Sequence, residues 1–207
     1  MPLLARGILY NVEWLNMNII NQLLKPGAVA VIPTDTVYGL VARAVDRTAV
    51  KRLYALKHRE HKPGTIIAGS VKQLIDLGIK ARYLKAVEQY WPAPISVIVP
   101  CGPELAYLHM GLSSLAVRIP NDNKLLAVLQ ATGPLLRSSA NDPAQPTAVT
   151  VDEARKYFGN RVDFYEDGGD LFGHQPSTVI RIVDDAIEIV RLGAVAIDES
   201  GRITSVS

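Results

Sequence analysis

The sequence has little cysteine: Cys101 stands alone in 207 residues. One thiol cannot close an intrachain disulfide, and it leaves no basis for a zinc site of paired cysteines. The four histidines, His58, His61, His109 and His174, lack metal-ligand spacing, so no metal held by protein side chains alone is expected. No stretch approaches the 18 or so apolar residues of a membrane span, and the N-terminus lacks a signal-peptide pattern. A soluble, cytoplasmic protein with no membrane partner is expected. An excess of one charge is also missing. Lys and Arg number 22 against 20 Asp and Glu, a net +2, which demands no polyanionic partner but permits local basic clusters. There is no GxxxxGK[ST] phosphate loop, no GxGxxG, no HExxH and no GxSxG nucleophile elbow. Internal repeats and low-complexity tracts are absent too.

What is present is ordinary globular material, 48% apolar and 20% charged. The length suits one domain able to bury most of its surface. Residues 1–15 are expected as an N-terminal lead-in, 16–198 as the domain, and 199–207 as a polar tail. The central stretch is AVAVIPTDTVYGL, residues 28–40. Ala28 to Ile32 reads as a buried strand that Pro33 ends, because proline cannot donate to a ladder. Thr34, Asp35 and Thr36 then sit at the strand's carboxyl end, where open α/β sheets tend to bind ligands. Tyr38 reads as an aromatic wall and Gly39 as a flexible point.

Around it, Ile19, Ile20, Leu23 and Leu24 fall on one helical face that Pro26-Gly27 stops. Asp46 caps a helix burying Val50, Leu53 and Tyr54, which delivers Lys57 and Arg59 at its end. Thr65–Ala68, Ile95–Val99, Leu115–Ile119, Pro134–Ser138 and Val162–Tyr165 read as strands. Helices are expected from Ser70 to Leu77, over roughly 80–90, from Asn121 or Asp122 to Ala131, and over Asp152–Phe158. Residues 103–114 hold a turn or short helix. STVIRIV (177–183) and AIEIVR (186–191) form a hairpin turning at Asp184-Asp185. This mixture predicts an α/β fold, with a twisted mixed sheet and flanking helices.

The chemistry left open is a set of strand-end hydroxyls, Thr34, Thr36, Ser114, Ser139 and Ser177, beside the cations Lys57, Arg59, Lys62, Arg118 and Arg191. Hydroxyls with Lys and Arg, and no nucleophile–base pair, suit holding phosphates and a carboxylate. Such a site acts by positioning and charge stabilisation. Arg118 lies among apolar neighbours and needs an anion, either a ligand or a structural Asp or Glu. Ser139 and Asn141 also fit a plain turn, and Arg191 a surface position.

PTDTVYGL (33–40), Lys57-His58-Arg59, Lys62-Pro63, WPAPIS (91–96), SLAVRIP (114–120), SSAN (138–141), PSTVI (176–180) and VRLG (190–193) occur in that order. Together they resemble the YrdC family of threonylcarbamoyl-AMP synthases, in its single-domain form, over about residues 16–195. The resemblance implies a single α/β domain around a large basic cavity. It implies that L-threonine, bicarbonate and ATP are joined into threonylcarbamoyl-adenylate with release of pyrophosphate. A separate transferase complex then passes the group to N6 of adenosine 37 in tRNAs reading ANN codons. By the same resemblance Lys57 and Arg59 are the catalytic pair, contacting ATP phosphates and the carboxylates formed during reaction. Ser114, Ser139, Asn141, Thr147 and Arg191 bind nucleotide; Thr34, Arg118 and Ser177 hold threonine. Mg²⁺ arrives with ATP.

The chain departs from the family pattern at Glu60, Gly64-Thr65, Asp142-Pro143-Ala144 and Arg137. The last is a long cation at a usually small position close to threonine. Three alternatives follow: a tRNA- or double-stranded-RNA-binding module without catalysis, carbamoyl-AMP chemistry in metallocentre maturation, and a diverged paralogue that binds nucleotide without making the threonyl product.

Overall fold

The computed structural model of the chain describes residues 17–58, 61–184, 186–198 and 202–205. The lead-in and Arg59 lie outside these described residues.

A helix over residues 17–23, α1, leads into β1 (Val29–Ile32) and β2 (Gly39–Arg43). The β2 segment is the apolar resumption after Gly39, which pattern reading did not mark as a strand. Asp46 caps α2 (Arg47–Leu56): its carboxylate accepts Ala49 N at 3.0 Å and Gly27 N at 2.6 Å. Next come β3 (Thr65–Ile67) and α3 (Val71–Leu77), the latter capped by Ser70 and ended by left-handed Gly78. The helix expected over 80–90 is shorter, α4 (Ala81–Lys85) followed by a 3₁₀ turn at Glu88–Tyr90. Lys80 supplies no side-chain cap, and the bond from Val87 N to Leu84 O tightens the end to i→i+3 spacing.

Strand β4 (Ile95–Pro100), short α5 (Ala106–His109) and β5 (Ser114–Arg118) follow. Asp122 caps α6 (Asn123–Thr132), which leads to β6 (Leu135–Ser139). Thr150 caps α7 (Val151–Phe158), ahead of β7 (Phe164–Tyr165). The chain ends with the hairpin of β8 (Thr178–Val183) and β9 (Ala186–Arg191), then β10 (Val195–Ile197) and β11 (Ile203–Ser205). The expected polar tail therefore contains a strand. Ile203 and Thr204 are β-branched, and the Asp198 carboxylate accepts Arg202 N at 2.9 Å, which closes the β10–β11 turn.

Nine strands form one mixed sheet, ordered β7-β1-β2-β6-β3-β5-β4-β8-β9. Strand alternation gives this sheet two unlike faces. Val29, Val31, Leu40, Ala42, Ile66, Leu136, Val97 and Val117 point to one face, which joins residues of α2, α3 and α7 in the main core. On the other face Ala30, Ile32, Val41, Ile67 and Leu135 pack beneath α1 and α6, through Ile19, Leu23, Leu125, Val128 and Leu129. That second face turns polar away from those helices. Register pairs Val41 with Arg137, Gly39 with Ser139, Arg137 with Thr65, Thr65 with Ala116, and Ile67 with Arg118. Register partners share a face, so Arg137, Ser139, Thr65 and Arg118 stand on the same side as the smaller core. Ser114 and Ser96 join them by two-residue steps from Ala116 and from its partner Ile98.

Candidate active site

The centre of the polar face is Arg118. It is fully buried, and its guanidinium pairs with Asp35 at 3.1 and 3.3 Å. Asp35 also accepts Asn121 N at 3.2 Å. Of the two anions open from sequence, the structural one is present. It does not exhaust Arg118, because Nε is buried with no hydrogen-bond partner among the described residues. Burial pushes the Arg118 pKa below its ordinary value; Asp35 opposes this and the nearby Arg191 adds to it. A buried cation with spare donors beside a second cation is suited to a small anion.

The Thr34–Val37 turn forms one wall. Thr34 Oγ1 donates to Val37 O at 2.7 Å and lies 3.0 Å from Thr36 Oγ1. Arg137, buried on β6, reaches the same turn, donating to Val37 O at 3.0 Å and Thr36 Oγ1 at 3.5 Å. It thus spends at least one nitrogen on the turn backbone. Gly39 is not a flexible point. A Cβ there would stand 2.9 Å from Arg137 Nε, so any larger residue would displace the Arg137 side chain from its present position. Nor is Tyr38 a wall of the site. It is fully buried in the main core, on the opposite face of the sheet; its hydroxyl donates to Gly169 O and accepts Gly168 N, both at 2.8 Å. That bond pair fastens the loop after β7 against Pro33. The same loop returns at His174, whose Nδ1 donates to Thr36 O at 3.1 Å.

The opposite wall is Ser177, Ser96 and Arg191. The hydroxyls of Ser96 and Ser177 lie 2.9 Å apart, both buried. Arg191 is exposed as a whole, yet its Nη2 turns inward to Ser177 O at 2.6 Å and Ser177 Oγ at 3.3 Å. Gly193 permits this: a Cβ would collide with Pro176 O and Ser177.

Lys57 is buried at the end of α2, where its ammonium donates to Ser139 O at 2.9 Å, to Asn141 Oδ1 at 2.8 Å and to Asn141 O. Ser139 Oγ donates to Asn141 Oδ1 at 2.7 Å, and Asn141 Nδ2 to Gln145 O at 2.6 Å. Ser139 and Asn141 thus organise a turn, with Lys57 as its clamp. A pocket of about 400 Å³ opens there, lined by Lys57, His58, Lys62, Ser139, Asn141 and Pro143. Thr147 is half-buried in the loop that folds back through Ala148 N to Ala140 O at 2.9 Å. Ser114 is half-buried at the head of β5.

The fold therefore brings Thr34, Arg118, Ser177 and Arg191 around one polar face, and Lys57, Ser139 and Asn141 into an adjoining pocket. Sequence reasoning did not assign Asp35, Ser96 or His174 to the site. Asp35 and Ser96 lie inside the quoted motifs, but pairing to residues 83 and 81 positions away leaves no local signal.

A family model named Sua5_yciO_yrdC and described as "Telomere recombination" matches residues 22–193. The chain belongs to this family. Among its relatives is a Mycobacterium leprae protein, 33% identical over an alignment of 189 residues that covers 88% of this chain and 85% of its own. The threonylcarbamoyl-AMP synthase of Bacillus subtilis is 31% identical over 84% of this chain, but over 52% of its own length. Among solved structures, the Pyrococcus abyssi Sua5 protein complexed with L-threonine superposes with a TM-score of 0.78 at 27% identity. That match covers 88% of this chain and 55% of the archaeal one. The chain thus spans about half the length of these two Sua5–YciO–YrdC members. The Escherichia coli YciO structure, at 23% identity and TM-score 0.74, shares the fold.

Proposed function

We propose that this chain makes L-threonylcarbamoyl-AMP from L-threonine, bicarbonate and ATP, releasing pyrophosphate and water. Support comes from the naming of its Bacillus relative and from threonine in the Pyrococcus structure. The observation that carries it is Arg118, a buried cation only partly satisfied by Asp35 at the Thr34–Thr36 turn. The threonine carboxylate takes the spare donors of Arg118, with Ser177 and Thr34 beside it. Its amine nitrogen bonds to the bicarbonate carbon as a C–O bond there breaks and water leaves with a proton from the amine, and a carbamate oxygen then attacks the α-phosphorus of ATP. The bond to pyrophosphate breaks as the new P–O bond forms.

In this reading Lys57, Ser139, Asn141 and Thr147 border the nucleotide, with Ser114 and Arg191 reaching it across the face. Arg59, outside the described residues, is the second cation of the catalytic pair. ATP, bicarbonate and the threonine carboxylate carry like charges that repel in water, and a carbamate decomposes there, so a basic recess supplies both ordering and shelter. The described residues contain no trio of His, Cys, Asp or Glu able to hold a metal; Mg²⁺ belongs to this scheme as part of the ATP complex. The product feeds a separate threonylcarbamoyl transferase complex acting on tRNA.

Pyrophosphate release from ATP, measured with threonine and bicarbonate together and singly, tests the reading. Release is expected only with both present. Nucleotide binding without threonine-dependent release overturns it in favour of a diverged, non-synthesising paralogue.

A further inference from the structure

On the helix-covered half of the polar face's side lies a second pocket, of about 120 Å³, between α1, the start of α6 and the loop after β7. Ile19, Ile32, Leu125 and Val128 make its apolar walls. Its polar lining is acidic: Asp122, Glu166 and Asp167 against Lys124 alone. Asp122 is occupied as the cap of α6, accepting Leu125 N at 2.9 Å. Glu166 is different. It is only 8% exposed, its backbone N–H is anchored to Val31 O at 2.9 Å, and its carboxylate has no hydrogen-bond or ion-pair partner among the described residues. Burial raises the Glu166 pKa, Asp167 adds to that, and Lys124 opposes it. Both carboxylate oxygens remain accessible from the pocket and meet no donor among the described residues, so they are free to accept one from an occupant.

We propose that this pocket is a second ligand site, which takes a primary aliphatic ammonium group, its charge on Glu166 and its alkyl chain along Ile32, Leu125 and Val128. The charge balance of the lining favours a cation. The apolar walls favour an organic cation over a hydrated ion, and the described residues hold no metal-ligand trio. The volume suits a short chain, since a cavity of roughly 150 Å³ holds a benzene molecule. Pro33 and Gly168 also line the pocket, so an occupant touches the underside of the turn that carries Thr34.

The test is an amide NMR titration of the full chain with n-butylammonium chloride, against 1-butanol and sodium chloride. Saturable shifts are expected at the Gly168 and Leu125 amides with n-butylammonium. Affinity should fall at least tenfold for 1-butanol, and equally for the isosteric Glu166→Gln variant. Lys124→Ala removes the resident competing cation and should tighten binding several-fold. Equal binding of butanol and butylammonium overturns the proposal, making the pocket merely apolar. Insensitivity to Glu166→Gln, or no saturable shift in either the natural chain or Lys124→Ala, overturns it as well.

Discussion

Arg118 and Asp35 form a buried pair that the proposed reaction also draws on. Buried pairs return little net energy, because desolvation offsets attraction, but removing one partner strands the other. Asp35→Asn should therefore destabilise the protein by about 3–5 kcal/mol, read from urea unfolding midpoints; a loss under about 1 kcal/mol, typical of a surface pair, contradicts this role. Arg118 was recognisable in the sequence as a charge inside an apolar strand that had to meet an anion. Which anion was not recognisable, since Asp35 is 83 positions away. Lys57 was recognisable as a cation at a helix end. Its commitment to Ser139 and Asn141 depends on strands and turns brought together from distant parts of the chain.

At the level of elements, β9 and the segment after it set the second wall of the site. Arg191 reaches Ser177 because the backbone at Gly193 lies against Pro176 and Ser177 with no room for a Cβ. Gly193→Ala should push β9 outward. The expected result is at least a tenfold fall in kcat/KM for pyrophosphate release, with a smaller loss of thermal stability because β9 is an exposed edge strand. Unchanged kinetics would show that the Arg191–Ser177 contact is dispensable. Element types were largely readable from hydrophobic period and caps: Asp46, Ser70 and Asp122 start helices as their side chains predict. Strand β2 was missed because its apolar stretch, Leu40–Ala42 between Gly39 and Arg43, is too short to carry a period. Strand β11 was missed because three polar-flanked residues carry too weak a pattern.

Across the whole molecule, Asp163 joins segments distant in sequence. Its carboxylate accepts Val29 N at 2.8 Å and Arg52 Nη1 at 2.5 Å, tying the entry to β7 onto β1 and α2. Burial alone would raise its pKa, but Val29 N–H and Arg52 outweigh burial and hold it below the ordinary carboxylate value. A depressed folded pKa gives stability that is present above the unfolded value and lost as pH falls through the folded one. Asp163→Asn should thus cost about 1 kcal/mol near neutral pH, discounted because both side chains are over a third exposed. The difference from the natural chain should shrink as pH falls below the ordinary carboxylate range and vanish once the folded carboxyl is protonated; a pH-independent difference would contradict the linkage.

The sequence by itself determined the element types, the ordered motifs and the pool of hydroxyls and cations, because period, capping and proline breaks act over a few residues. Only the tertiary structure decided which of these meet. Sheet order places β6, β3 and β5 side by side, and register then sets Arg137, Thr65 and Arg118 on one face while their neighbours enter the main core. Register is a long-range property: a one-residue slip would turn each of these side chains to the opposite face. That choice is made by burying both apolar sets at once, which no local stretch encodes.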